Sequence, residues 1–171
     1  MEGTRLNDAA SPYQLRPARI EDIPHIHRLM LDMAEFENLT GIFKATPDSL
    51  RRSLFGEQPA VNCLVGASAA DPGTPVAYIM WFHNYSSFLD KRGLYLEDLY
   101  VDPEHRGKGL GGLALRHLAR LAVELDCGRF EWSVLDWNKN AIDFYEHLGA
   151  QILPDWRIVR VTGDALKKLA N

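Results

Sequence analysis

Apolar residues recur at helical spacing in IEDIPHIHRLMLDMAEFE, at Ile23, Ile26, Met30 and Met33. That period marks one face of an α-helix, so the segment predicts a first amphipathic helix. Thr46 followed by Pro47 has the layout of an N-cap with proline in the first turn, which predicts a second helix to about Phe55. Between 109 and 125, Ala114, Leu118, Leu121, Ala122 and Leu125 share a face while Arg116, Arg120 and Glu124 take the other, predicting a third. Asn138 suits the cap of a fourth, with Ala141, Phe144, Tyr145 and Leu148 on one face and Gly149 as its stop.

Strand patterns fill the gaps. They are residues 13–18, VNCLVGAS (61–68), VAYIMWFHNY (76–85), residues 93–101, RFEWSVL (129–135) and DWRIVRVTG (155–163). ADPGTP (70–75) reads as a turn, so 61–68 and 76–85 form a hairpin. ALKKLA (165–170) reads as a closing helical turn. The order β, two helices, three strands, helix, strand, helix, strand predicts one mixed α/β domain over 13–171, behind a loose polar tail at 1–12.

Composition narrows this little. At 171 residues and 46% hydrophobic, the chain can fill one core. A net charge of −4 gives no general attraction to nucleic acid or anionic membranes. The two cysteines, Cys63 and Cys127, read as free thiols of a reducing compartment. No apolar run reaches the roughly 20 residues of a membrane span, and the first residues lack the layout of a signal peptide. The expected location is the cytoplasm. The six histidines are scattered and suggest no metal set, and no Ser-His-Asp or Cys-His arrangement stands out.

The chemistry concentrates in YLEDLYVDPEHRGKGLGG (95–112). RGKGLGG sits between a strand and a strongly amphipathic helix. A helix start leaves backbone N–H groups unpaired and carries partial positive charge; glycines let a phosphate approach, and Arg106 and Lys108 add charge. This predicts a phosphate or pyrophosphate site. It is neither a Walker loop, since Gly109 follows Lys108, nor a G-x-G-x-x-G fingerprint, since the last glycine falls one residue early. In the strand before it, regular alternation puts Glu97 and Asp98 on opposite faces unless a bulge intervenes. One carboxylate facing a cleft could attract a protonated amine and take its proton.

RGKGLG resembles the R/Q-x-x-G-x-G/A signature of the GNAT acyl-CoA-dependent N-acetyltransferases. WNKNAIDFYEHLGA (137–150) is similar to the family's strand-to-helix segment, and the element order agrees from Tyr13 onward. YLEDLYV, DMAEFE and WNKNAIDFY further resemble the diamine (spermidine/spermine) acetyltransferases and their thialysine-acetylating relatives.

The resemblance implies a central, mostly antiparallel sheet with splayed strands, acetyl-CoA as co-substrate and no metal. It implies that Arg106, Gly107, Lys108, Gly109, Leu110, Gly111 and Gly112 hold the coenzyme's pyrophosphate. The pantetheine arm would lie along the backbone of Leu99, Tyr100 and Val101. Asn138, Lys139, Asn140 and Ala141 would contact the coenzyme, and Tyr145 would also protonate the leaving thiolate. Glu97 would be the base, directly or through water. Phe36, Glu37, Asp98, Glu131, Trp132 and Ser133 would line the amine site. A homodimer with shared clefts is implied as well.

The leading expectation is acetylation of a small di- or polyamine by direct attack. Alternatives are a lysine-like acceptor such as thialysine, a non-catalytic coenzyme A-binding module, and acetylation of a protein or peptide.

Overall fold

The computed structural model describes residues 11–171; most of the expected tail lies outside the described residues. The chain forms two units, one ending at Trp132 and the other Ser133–Asn171.

The first unit is a five-stranded sheet in the order β1-β2-β3-β4-β5. The strands are β1 (Tyr13–Pro17), β2 (Asn62–Ser68), β3 (Asp71–Ser86), β4 (Lys91–Val101) and β5 (Phe130–Trp132). The first four form antiparallel neighbours, and β5 joins β4 in parallel after helix α3 (Leu110–Glu124). Reversal after β2 comes at Ala69 and Ala70 rather than across 70–75, because Asp71 already faces Ser68. The ladder then skips to Pro75 opposite Ala67, leaving Pro72, Gly73 and Thr74 as an irregularity.

Helices α1 (Ile23–Phe36) and α2 (Pro47–Phe55) cover one face. Their Ile23, Ile26, Leu29, Leu50 and Leu54 form a core with Val65, Tyr78, Met80 and Tyr100 of the sheet. Met30 and Met33, expected on the same apolar face, are partly buried and pack against this core. Thr46 caps α2 as predicted: its side chain accepts from Ser49 N, and the Ser49 hydroxyl accepts from Thr46 N.

Helix α3 lies on the other face, and its start is seated on Gly66. A Cβ at Gly66 would come 2.9 Å from Leu110 Cδ1, so the glycine permits the close approach.

One buried carboxylate braces the entry to α1. Asp22 takes Arg16 Nη1 at 2.6 Å, Arg16 Nη2 at 2.8 Å and the Arg19 amide at 2.7 Å. Burial alone would raise the Asp22 pKa, but these donors outweigh it and hold the pKa below the usual range.

The second unit contains α4 (Lys139–His147) and α5 (Gly163–Leu169). Asn138 caps α4, its side chain accepting from Ala141 N at 3.3 Å, and Gly149 ends the segment at φ 89°. The expected strand over 155–163 does not form: residues 156–162 have no regular structure. Their apolar-polar pattern suits a strand, but a ladder needs a neighbouring strand's N–H and C=O groups, and this unit holds only helices. The strand expected over 129–135 is likewise reduced to the three residues of β5.

Candidate active site

The site is organised by a bulge in β4. Tyr95 faces Phe82, Leu96 faces Trp81, and the next pair is Asp98 with Met80, so Glu97 is the extra residue. Alternation reverses across it. Leu94 and Leu96 lie on the α3 side, whereas Asp98 and Tyr100 join Met80 and Tyr78 on the α1 side. Glu97 follows the parity of Tyr95, which also faces the α1 side. The expectation that Glu97 and Asp98 face opposite ways is therefore corrected: both carboxylates turn toward α1.

The electrostatics agree with this placement. The Asp98 carboxyl is pushed up to about 6, first by burial and then by the charge of Glu97, with Glu37 adding to it. The Tyr78 hydroxyl donates to Asp98 Oδ2 at 3.3 Å and works in the opposite direction. Glu37, just past the end of α1, is itself raised by burial. Three carboxylates thus gather where α1 ends over β4. Among the described residues, none of the three enters an ion pair.

The bulge also bears on the other edge of β4. Leu94, Tyr95 and Leu96 pair with Phe130, Glu131 and Trp132, and the ladder stops there. Bulges bend a strand and end pairing. Residues 97–101 keep β3 on one side and have no strand partner on the other, among the described residues. Along Leu99, Tyr100 and Val101 the backbone edge therefore has no strand partner, the feature that accepts an extended chain, and Val101 O on it is taken by Arg106 Nε.

Past this edge, the Asp102 side chain accepts from Glu104 N at 3.2 Å and starts a tight turn. Gly107 and Gly109 then adopt φ of 69° and 90°, the left-handed region that favours glycine. Nothing lies within 4 Å of where either Cβ would be, so conformation rather than space requires glycine here. Helix α3 begins immediately, which leaves the amides of Leu110, Gly111 and Gly112 without intrahelical acceptors. The Leu110 side chain is buried on Gly66, so only its backbone is available to a ligand.

The two cations of the turn fold back on the protein. Lys108 Nζ donates to Glu104 O at 2.8 Å, and Arg106 Nε donates to Val101 O at 2.8 Å. The Arg106 guanidinium lies over the rings of Phe36 and Tyr100, 5.1 Å from each centroid. Phe36 thus meets the glycine turn through Arg106.

Glu131 is engaged by Asn84 Nδ2 at 2.6 Å and by Arg129 Nε at 3.1 Å, while Trp132 sits opposite Leu96. Ser133, Asn138, Lys139, Asn140, Ala141 and Tyr145 belong to the second unit. There Tyr145 is half-buried on α4, its ring 5.6 Å from that of Phe144. Sequence reasoning missed Tyr78. Nothing in its strand pattern distinguishes it from a core aromatic, and only the register opposite β4 brings its hydroxyl to Asp98.

An unpartnered strand edge running into a glycine turn and a helix start can receive an extended ligand with an anionic end. The chain matches the Acetyltransferase (GNAT) family over residues 26–150. It belongs to that family. GNAT enzymes use acetyl-CoA as co-substrate, and this chain is a GNAT N-acetyltransferase. Among its relatives, thialysine N-epsilon-acetyltransferase of Bos taurus is 38% identical over 92% of this chain and 96% of its own length. L-ornithine N5-acetyltransferase NATA1 of Arabidopsis thaliana is 35% identical over 91% of this chain and 87% of its own. A solved integron cassette protein of V. cholerae shares the fold, with a TM-score of 0.76 at 21% identity, over 94% of this chain and 99% of that one.

Proposed function

We propose that this GNAT enzyme transfers acetyl from acetyl-CoA to a terminal primary amine of a small di- or polyamine, by direct attack of the amine on the thioester. The observation that carries the reading is the group of Glu37, Glu97 and Asp98, three carboxylates that enter no ion pair among the described residues. Their uncompensated charge suits an acceptor with more than one ammonium group.

A primary amine with a pKa near 10, by analogy with lysine, arrives protonated and is no nucleophile until it loses that proton. Glu97, exposed at the bulge, takes the proton directly or through water. Asp98 beside it, with a carboxyl pushed up to about 6, holds a proton more readily than an ordinary aspartate and shares that work. The open edge at Leu99, Tyr100 and Val101 binds the pantetheine arm, and the amides of Leu110, Gly111 and Gly112 take the phosphates. By resemblance to the family, Asn138, Lys139, Asn140 and Ala141 give further coenzyme contacts, and Tyr145 donates the proton to the departing thiolate. Trp132 and Ser133 line the amine site beside Glu131. By resemblance, the working form is a homodimer.

The second reading is a lysine-like acceptor, favoured by the thialysine and ornithine enzymes among the relatives. Steady-state acetylation of putrescine, spermidine, spermine, ornithine, lysine and thialysine separates the two. The di- and polyamines should give the highest kcat/KM. Preference for the amino acids would move the assignment to the second reading. No turnover with any of them, despite acetyl-CoA binding, would defeat both.

A further inference from the structure

Arg106 is the conspicuous cation of the glycine turn, and its charge suggests a grip on phosphate. Its surroundings argue otherwise. The guanidinium lines a cleft shared with Asp32, Glu35, Asp102 and Glu104; Arg28 already pairs with Asp32 at 2.7 Å and Asp102 at 3.4 Å, and the charges of Glu35 and Glu104 still disfavour an arriving anion. Its Nε is committed to Val101 O, and its plane lies over Phe36 and Tyr100. These contacts join three elements: the start of the turn, the last residues of β4 and the last residue of α1. The next residue in the chain after Phe36 is Glu37, one of the three gathered carboxylates.

We infer that Arg106 is a positioning residue: a clip that fastens the coenzyme turn to β4 and, through Phe36, to the end of α1, so that the thioester cradle and the acidic amine site hold a common geometry. The inference rests on the proposal that the turn receives the coenzyme's phosphates. A clip needs the planar guanidinium, which can donate through Nε while stacking on two rings; a lysine ammonium carries the same charge but cannot do both. A phosphate ligand needs chiefly the charge. The two roles therefore respond differently to the same substitutions.

The test measures KM for acetyl-CoA, for S-acetyl-pantetheine (the thioester arm without the phosphates) and for the best amine in the wild type and in Arg106→Lys, Phe36→Leu and Phe36→Tyr. Phe36 is 44% exposed, so its substitution should leave the core folded; thermal melts check this. A clip predicts that Arg106→Lys and Phe36→Leu raise KM for both thioesters by a similar factor, roughly three- to tenfold, the scale of a lost cation–π contact. The amine KM should rise with them, and Phe36→Tyr, which keeps the ring, should bring the KM for both thioesters back toward the wild-type values, whatever it does to the amine KM. A loss seen with acetyl-CoA but not with S-acetyl-pantetheine would overturn the clip in favour of a phosphate ligand, as would wild-type behaviour of Phe36→Leu. The underlying proposal fails separately, if the wild type itself does not prefer acetyl-CoA to S-acetyl-pantetheine.

Discussion

The Tyr78 hydroxyl donates to the Asp98 carboxylate at 3.3 Å, across the β3–β4 ladder and beneath the end of α1. The pair sits at the edge between the core and the acidic site. Burial keeps the Tyr78 hydroxyl protonated, well above the ordinary tyrosine range, so it acts as a donor throughout the working pH. Its donation holds down the pKa that burial and Glu97 raise. Tyr78→Phe should therefore push Asp98 higher still and move the acidic limb of kcat/KM toward higher pH. The fold should lose only about 1 kcal/mol, the usual net worth of one hydrogen bond. A pH profile that superimposes on the wild type would show that Asp98 does not titrate in the reaction.

Asp98 also carries a stability signature. Its folded pKa, about 6, stands above the ordinary value of 3.8. Between those values the folded state binds more protons than the unfolded one. Its contribution is thus fully present below about pH 4 and is lost as pH rises through 6. Asp98→Asn removes the charge and keeps an acceptor for Tyr78. Its melting temperature should exceed that of the wild type at pH 7, with the difference narrowing toward pH 4. Equal melting at both pH values would mean that the carboxylate is not destabilised by its surroundings.

Asp22 should behave with the opposite sign. Arg16 and the Arg19 amide hold its pKa below the ordinary value, so its contribution is present above about pH 4 and is lost as pH falls through the depressed pKa. Asp22→Ala leaves the Arg16 guanidinium without its partner and should cost about 3–5 kcal/mol. Urea unfolding at pH 7 measures the loss, which should shrink in acid.

Tyr145→Phe tests the proposed acid. It removes only the hydroxyl, so kcat should fall by roughly 10²-fold or more, the usual scale of a general acid. The dissociation constant for acetyl-CoA, read by calorimetry, should change little. An unchanged kcat would remove Tyr145 from the chemistry.

Local features were legible in the chain. The Thr46 and Asn138 caps, the Gly149 stop and the helix periods depend on residues within a turn or two of one another. A sequence pattern carries such information directly. The family was legible too, because RGKGLG and WNKNAIDFYEHLGA lie inside the match over residues 26–150.

What the sequence left open all depends on which backbone lies beside which. DWRIVRVTG alternates as a strand should, yet a strand exists only where a neighbouring strand supplies hydrogen bonds, and residues 156–162 have no such strand within their own unit. Whether Glu97 and Asp98 share a face depends on one residue of register against Met80 and Trp81. That slip is invisible in YLEDLYV, because a bulge is a property of two strands and not of one. Arg106 could be read as a charge on a glycine loop. Tertiary structure decided where that charge lies, by bringing Phe36, 70 positions earlier in the chain, under its guanidinium.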